Sequence, residues 1–528
     1  MVMEAIEVNY RDTNVGALSF ETTTGVGAFE YHPSFIAQGI ELAPLKMPLS
    51  RRIYRFPELA FETFKGLPGL IADSLPDDFG SAVLNAWIAS QGKQPQDITP
   101  LQRLQYTGKR GMGALEFAPA TSLKNLNALQ QINIESLVSI AQEILERRTD
   151  FAVHLSDREQ EDRDTMMALL SVGTSAGGAR PKAVLAFNED FTEVRSGQVQ
   201  IPNGFTHYLM KFDGVSEHNS NRETFGDPLG YGAMEYVYSL MATACGIQMM
   251  PCRLLNEGSR RHFLTQRFDR QGNKKRHIQT LNGIAHVDYK MPGSFSYAEL
   301  LGIARQLRLS AADAEQLFRR MAFNIIARNH DDHAKNFAFL LDDATNKWML
   351  APAYDLAYSY KPGSKWVNSH WMSLNGKRDD FIREDFYSLE KLSPLFTRHR
   401  IDQILDATIA QVSQWRTLAS EHEVTKTLID DIDSNLRLQL YSPQRQQSFW
   451  AYQKIMRIEI LYPIFRCQND ENVFLSRLRE LPGFCRVTRN GLNLSLIFVE
   501  GTGQEVLLAV DKICANWNTS FRTVDPPL

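Results

Sequence analysis

Along residues 4 to 31, apolar and polar positions alternate, with turn signals at Asp12-Thr13-Asn14 and Gly25, which predicts a small antiparallel sheet. The period then changes. Around Leu75-Pro76-Asp77-Asp78-Phe79-Gly80 the chain breaks and enters a helix through Trp87, and a second helix is expected near Pro100 to Gln105. From Leu123 to Thr149, Leu126, Leu129, Ile132, Leu137, Ile140, Ile144 and Leu145 fall on one broad helical face. Strands are expected at Ala183 to Phe187 and Thr206 to Phe212. The apolar stretch from Tyr236 to Met250, closed by Pro251, reads as a buried helix.

Farther on, residues 297 to 328 read as two helices separated near Ser310, which resembles an N-cap, and Ile401 to Leu440 continues the pattern. There Ile404, Leu405, Ile409, Val412 and Trp415 share one side. The last segment looks separate. Its strand-like runs at Leu492 to Val499 and Glu505 to Val510 flank Gly501-Thr502-Gly503, a hairpin signature. The pattern divides the chain into an α+β region at 1–120, a small lobe at 121–275, a helical lobe at 276–445 and an α+β extension at 446–528.

Composition narrows the function classes. With 57 Lys and Arg against 61 Asp and Glu, the net charge of -4 gives no global basic field to recruit nucleic acid or anionic membrane. The Tyr236 to Met250 stretch is shorter than the roughly 20 apolar residues that a membrane helix needs. The five cysteines, at 245, 252, 467, 485 and 514, form no CxxC pair, and the first seven residues carry Glu4 and Glu7 where a signal peptide needs a basic start and then an apolar core. A reducing cytoplasm is expected.

The most informative stretch is Asn329-His330-Asp331-Asp332-His333-Ala334-Lys335-Asn336-Phe337. Here an Asp precedes an Asn by five positions and an apolar run follows, which is kinase spacing. Phosphoryl transfer needs a carboxylate to orient the attacking hydroxyl and a nearby amide oxygen to help hold magnesium, and Asp331 and Asn336 supply both. Asp355 follows the strand Phe337 to Leu341 and a turn, so a hairpin would return a second carboxylate to the same phosphates. Taken singly, each is an ordinary loop residue. A transition-metal site at His330-Asp331-Asp332-His333 is the rival, but its histidines are three apart rather than four and have no further His or Cys pair nearby.

Upstream lie further parts in the order a kinase needs. The turn Gly173 to Lys182 is not a P-loop, yet Gly177 and Gly178 allow backbone N–H groups to approach phosphate, and Arg180 or Lys182 adds charge. Lys211 alternates with Met210 and Phe212 on its strand, and Glu235 on the next helix is its candidate partner. Gln266-Arg267-Phe268-Asp269 follows the strand His262 to Thr265, where two lobes would join and Phe268 could cover an adenine.

At these residues the sequence resembles the HipA family of bacterial toxin kinases. Its signatures include Ser-x-Gly-Gly-Ala-Arg-Pro-Lys, present at 175–182, and Asn-x-Asp-x-His-x-Lys-Asn, present at 329–336; the similarity extends from residue 10 to 440. The resemblance implies a two-lobed protein-kinase-like α+β fold, with an N-terminal α+β subdomain and a mostly helical C-terminal lobe. It implies ATP and Mg2+ as cofactors, with Lys211, Asp331, Asn336 and Asp355 catalytic and Asn336 and Asp355 holding the metal. Nucleotide contacts would come from Gly177, Gly178, Ala179, Arg180, Pro181, Lys182, Lys211, Gln266, Arg267, Phe268, His333, Ala334, Lys335, Asn336, Tyr354 and Asp355. Ser175 matches the family's autophosphorylated serine. The implied partners are a protein substrate, a small helix-turn-helix antitoxin, and DNA only through that antitoxin. A small-molecule phosphotransferase and a nucleotide-binding corepressor are the alternatives. The segment after 445 departs from the family pattern.

Overall fold

Strand alternation at the N-terminus produces a four-stranded antiparallel sheet. Its strands β1 (Glu4–Tyr10), β2 (Thr13–Glu21), β3 (Val26–Tyr31) and β4 (Leu115–Ala118) are ordered β3-β2-β1-β4. Alternate residues Ile6, Val8, Leu18, Phe29 and Tyr31 are buried, so the period of two sets one inner face. Arg11 and Asp12, both at positive φ, make the two-residue turn between β1 and β2. The structure, a computed structural model, describes residues 4–121, 132–146, 180–216, 226–440 and 455–524, the last with short breaks at 464, 466–467, 483, 491–492 and 500–502.

Two helices follow the sheet's third strand where capping chemistry predicts them. Asp77 Oδ1 accepts the Gly80 N–H at 2.6 Å and starts the helix Asp78–Ser90. Thr99 and Gln102 form a reciprocal capping box that opens the helix Pro100–Thr107. The next predicted helix appears as Ile134–Glu146, while Leu126 and Leu129 lie outside the described residues.

A second sheet carries the chemistry. Its strands β5 (Lys182–Phe187), β6 (Val194–Ser196), β7 (Thr206–Lys211), β8 (Cys252–Glu257) and β9 (Arg260–Gln266) are ordered β8-β9-β7-β5-β6. Ala183, Leu185, Phe187, Tyr208, Met210 and Phe212 join one core with Phe79, Val83, Leu137 and Ala141 from the preceding helices. The intervening residues Lys182, Leu209 and Lys211 therefore face the other way.

The buried helix expected at Tyr236 to Met250 instead spans Tyr231–Ala244. It starts earlier because Gly232 permits close approach: a Cβ there would sit 1.9 Å from the Arg261 carbonyl oxygen. It stops earlier because Gly246, at φ 76, takes the left-handed conformation that ends helices.

The helical lobe contains Tyr297–Gln306, Ala311–Ile326, Arg398–Val412, Trp415–Glu421 and Lys426–Asn435, and Ser310 caps the second of these as predicted. Trp415 is fully buried and donates its indole N–H to the Ile429 carbonyl at 3.1 Å. A three-stranded sheet of Ile278–Thr280, Ala338–Leu341 and Trp348–Leu350 supports the loops on either side of the hairpin. The described residues within 1–381 and 385–438 form one compact unit.

The second unit comprises 382–384 and the described residues from 439 onward. Its strands Ile455–Leu461, Phe484–Asn490, Asn493–Val499 and Phe521–Val524, with helices Gln468–Arg479 and Gly503–Asn516, run β-α-β-β-α-β. The fourth and third of these strands flank the first, all antiparallel, and the second pairs with the third. That order is the ferredoxin-like arrangement. The strand expected at Glu505 to Val510 is thus helical. Val506, Val510 and Ile513, spaced by four and three, bury one helix face against the sheet while Leu508 is exposed. The hairpin lies one connection earlier, between Phe484–Asn490 and Asn493–Val499.

Candidate active site

Lys182 on β5 and Lys211 on β7 are directly opposed across the strand pair, and both are buried. Like charges in that position repel. Three carboxylates from three elements answer them. Lys211 Nζ donates to Glu235 Oε1 at 2.6 Å, from the helix Tyr231–Ala244, and also to Asp355 Oδ1. Lys182 Nζ lies 3.8 Å from Asp77 Oδ2, at the start of the helix Asp78–Ser90.

Burial alone would push the Asp355 carboxyl up, but Lys211, Lys182 and Arg180 outweigh it and hold the group well below the usual carboxylate range. Asp355 is therefore an anion. It follows the hairpin Ala338–Leu341 and Trp348–Leu350 and sits at φ 56, a left-handed conformation uncommon for a side-chain-bearing residue. Asn329 Nδ2 reaches its carbonyl at 3.4 Å, and the Lys211 contact holds its carboxylate. Its second oxygen, Oδ2, makes no hydrogen bond among the described residues.

Asn336 closes a short 3-10 turn, Ala334–Asn336. Its Nδ2 donates to the Asp331 carbonyl at 2.7 Å, which fixes the amide orientation and leaves Oδ1 as an acceptor. Asn336 and Asp355 line the same cleft as Lys182, Lys211, Lys335 and Tyr354. Asn336 Oδ1 and Asp355 Oδ2 are hard oxygen donors suited to magnesium. About 50 Å³ of space remains among these side chains.

Asp331 does not line this cleft. Its side chain is about one-third exposed, with His333 Nε2 at 3.6 Å. Asp332 next to it points inward. It accepts from the Tyr297 hydroxyl at 2.5 Å, from the Trp371 N–H at 2.7 Å and from His370 Nδ1 at 2.9 Å. The His330 ring stacks inward too, 4.1 Å from that of His370. The four side chains of the rival metal site thus split into an outward pair, Asp331 and His333, and an inward pair, His330 and Asp332, and among the described residues no cluster of three or more His, Cys, Asp or Glu is arranged to hold a metal.

The expected hinge residues are divided. Phe268 packs at 5.6 Å from the Tyr354 ring, whose hydroxyl donates to the Lys335 carbonyl at 2.6 Å. Gln266 and Arg267 spend their backbone N–H groups on the Pro251 and His207 carbonyls, and the Arg267 guanidinium is held by Asp269 at 2.6 and 2.8 Å. None of the three lines the cleft. Pro181 gives its carbonyl to the Phe212 N–H, Ala334 is buried, and His333 packs against Trp371. Ser175, Gly177, Gly178 and Ala179 lie outside the described residues.

Sequence reasoning missed Asp73, Asp77 and Thr280, which also line the cleft. Asp73 accepts the Thr280 N–H and hydroxyl, each at 2.7 Å, and burial, countered by Lys335, pushes its carboxyl up to about 6. Asp77 carried only a helix-start signal, and nothing local linked either Asp to a loop more than two hundred residues away.

Comparison with known proteins gives the family. Residues 6–118 match the model of the HipA N-terminal domain, and residues 174–416 that of the HipA-like C-terminal domain. The chain belongs to the HipA family. Shewanella oneidensis MR-1 HipA, solved in a toxin–antitoxin complex with HipB and its operator DNA, shares the HipA-family fold at a TM-score of 0.58 and 17% identity, over 83% of this chain and 97% of that one. The fold is α+β and kinase-like. A smaller overlap, at a TM-score of 0.28 and 14% identity, covers 49% of this chain and 92% of CtkA, a proinflammatory kinase from Helicobacter pylori. Comparison with curated proteins gave no match. The HipA models end at residue 416, before the part of the second unit that follows 438, and no described helix is long and apolar enough to cross a membrane.

Proposed function

We propose that this HipA-family chain is an ATP- and magnesium-dependent serine/threonine protein kinase, acting as the toxin of a toxin–antitoxin system. The observation that carries the reading is the pair of opposed buried lysines, Lys182 and Lys211, facing Asn336 and Asp355 in one cleft. Asp77, Glu235 and Asp355 hold the two cations together on adjacent strands, where they would meet the triphosphate of a nucleotide. Asn336 and Asp355 would hold magnesium, which when bound neutralises charge on the transferred phosphate.

Asp331, on the loop that carries Asn336, would act as the base. Partly exposed and little engaged, its carboxylate is free to accept a proton from the hydroxyl of an incoming protein. Its backbone carbonyl meanwhile fixes Asn336, so one loop sets the base and one metal ligand. Lys211, held by Glu235, places its charge on the phosphates. Ser175 is the proposed autophosphorylated residue, and a helix-turn-helix antitoxin, the counterpart of the HipB bound to the Shewanella protein, the proposed partner.

Incubation with γ-labelled ATP and magnesium tests this. Wild type should incorporate label, with Ser175→Ala losing autophosphorylation and Asp331→Ala losing all transfer. Equal labelling of wild type and folded Asp331→Ala would remove the catalytic assignment.

A further inference from the structure

Close to the proposed base, a tryptophan is left in water. Trp366 is 43% exposed, although rings of this size are mostly covered in folded chains. The loop that carries it is held by its own hydrogen bonds. Ser364 Oγ accepts the Trp366 and Val367 N–H groups at 3.1 and 3.2 Å, and Asn368 Oδ1 accepts that of Gly363 at 2.8 Å.

Trp366 is the outer end of a ladder of rings. It stacks on Trp371, with centroids 5.9 Å apart and planes 3° from parallel, and Trp371 meets the His333 ring edge-on at 5.8 Å. His333 Nε2 in turn lies 3.6 Å from the Asp331 carboxylate. The middle ring has a fixed backbone: the Trp371 N–H donates to Asp332 at 2.7 Å, and its carbonyl accepts the Gly293 N–H at 2.8 Å. From exposed ring to base, the ladder spans a distance that an extended chain covers in about five residues.

We propose that Trp366 and Trp371 form a docking step for the protein substrate, taking a large apolar side chain with an acidic neighbour, within about five residues of the hydroxyl to be phosphorylated. The inference rests on the protein-kinase reading of the cleft. Chemistry and charge select the occupant. An apolar side chain laid on the Trp366 ring removes both surfaces from water, and tryptophan is among the residues that most often dominate such contacts. Residues 357–378 include the exposed Lys361 and Lys365 and no Asp or Glu, and Lys365 Nζ lies 5.1 Å from the Trp366 ring centroid, so a carboxylate beside the apolar side chain is favoured. Because the ladder ends at Asp331, a substrate segment fits it better than a second copy of the chain does.

Labelling of a synthetic peptide set with γ-labelled ATP and magnesium tests the proposal. Each peptide carries a single Ser, with Phe-Glu, Phe-Lys or Gly-Glu placed in turn at each position up to about five residues on either side. Wild type should use its best Phe-Glu peptide with a kcat/KM at least about ten-fold above the Gly-Glu counterpart, and above Phe-Lys by a smaller factor. Trp366→Ala should shrink the first preference below about three-fold, through KM rather than kcat, whereas Trp366→Phe should keep it. Neither substitution should shift thermal unfolding, since the ring is exposed. A wild type that labels the peptides without the apolar preference, or a Trp366→Ala protein that retains it, would overturn the docking step and leave the kinase reading standing. A wild type that labels no peptide would overturn both. Self-association lost in Trp366→Ala, with the peptide preference intact, would assign the ring to a second copy of the chain instead.

Discussion

Asp331 and Asp332 are neighbours in the chain and opposites in environment. Asp332 has no exposed side-chain surface and accepts hydrogen bonds from three separate residues, whereas Asp331 is about one-third exposed with only a histidine 3.6 Å away. Asp332 spends its carboxylate on structure, whereas the Asp331 carboxylate has no hydrogen bond as close among the described residues. The difference teaches how a loop is made rigid enough to present a reactive carboxylate: its neighbour, fully satisfied, holds the backbone in place.

Substituting each in turn should separate the two roles. Asp331→Ala should lower phosphate transfer by about 10²–10⁴-fold while moving unfolding free energy by less than about 0.5 kcal/mol. Kinetics with γ-labelled ATP and urea denaturation measure both. Asp332→Ala should do the reverse in order of cause: stability falls by about 3 kcal/mol, because Tyr297, His370 and the Trp371 N–H lose their acceptor in a buried site. An Asp332→Ala protein as stable as wild type would mean that the inner network does not hold the loop.

A smaller effect concerns the cleft's floor. Asp73 has its folded value raised to about 6, so it contributes stability below the unfolded carboxylate value of about 3.9 and loses that contribution as pH rises through about 6. Asp355 is shifted the other way, and its contribution is lost only as pH falls below about 3.9. His277 and His286, brought down to about 4 by burial, pull the slope the other way in the same window, so Asp73→Asn should make the dependence of unfolding free energy on pH more positive between about 4 and 6. An unchanged slope would show that Asp73 titrates as an ordinary exposed carboxylate.

The local parts of the site were legible in the sequence. The five-residue spacing of Asp331 and Asn336, the hairpin before Asp355 and the alternation that turns Lys211 away from Met210 all lie within short windows. Parts that depend on tertiary pairing were not. The register that sets Lys182 opposite Lys211, and the delivery of Asp73 and Asp77 from the N-terminal region, are long-range events without a local pattern. The apolar run Glu505 to Val510 is too short for its period to separate strand from helix, and packing of Val506, Val510 and Ile513 against the sheet decided for helix.

The central claim is that Lys182 and Lys211 are held together for a magnesium-bound triphosphate that Asn336 and Asp355 complete. Calorimetry of ATP binding, with and without magnesium, on wild type and Asp355→Asn tests it most directly. Wild type should bind ATP about ten-fold or more tightly with magnesium than without, and Asp355→Asn should lose that enhancement while remaining folded. Equal magnesium enhancement in the two proteins would contradict the account.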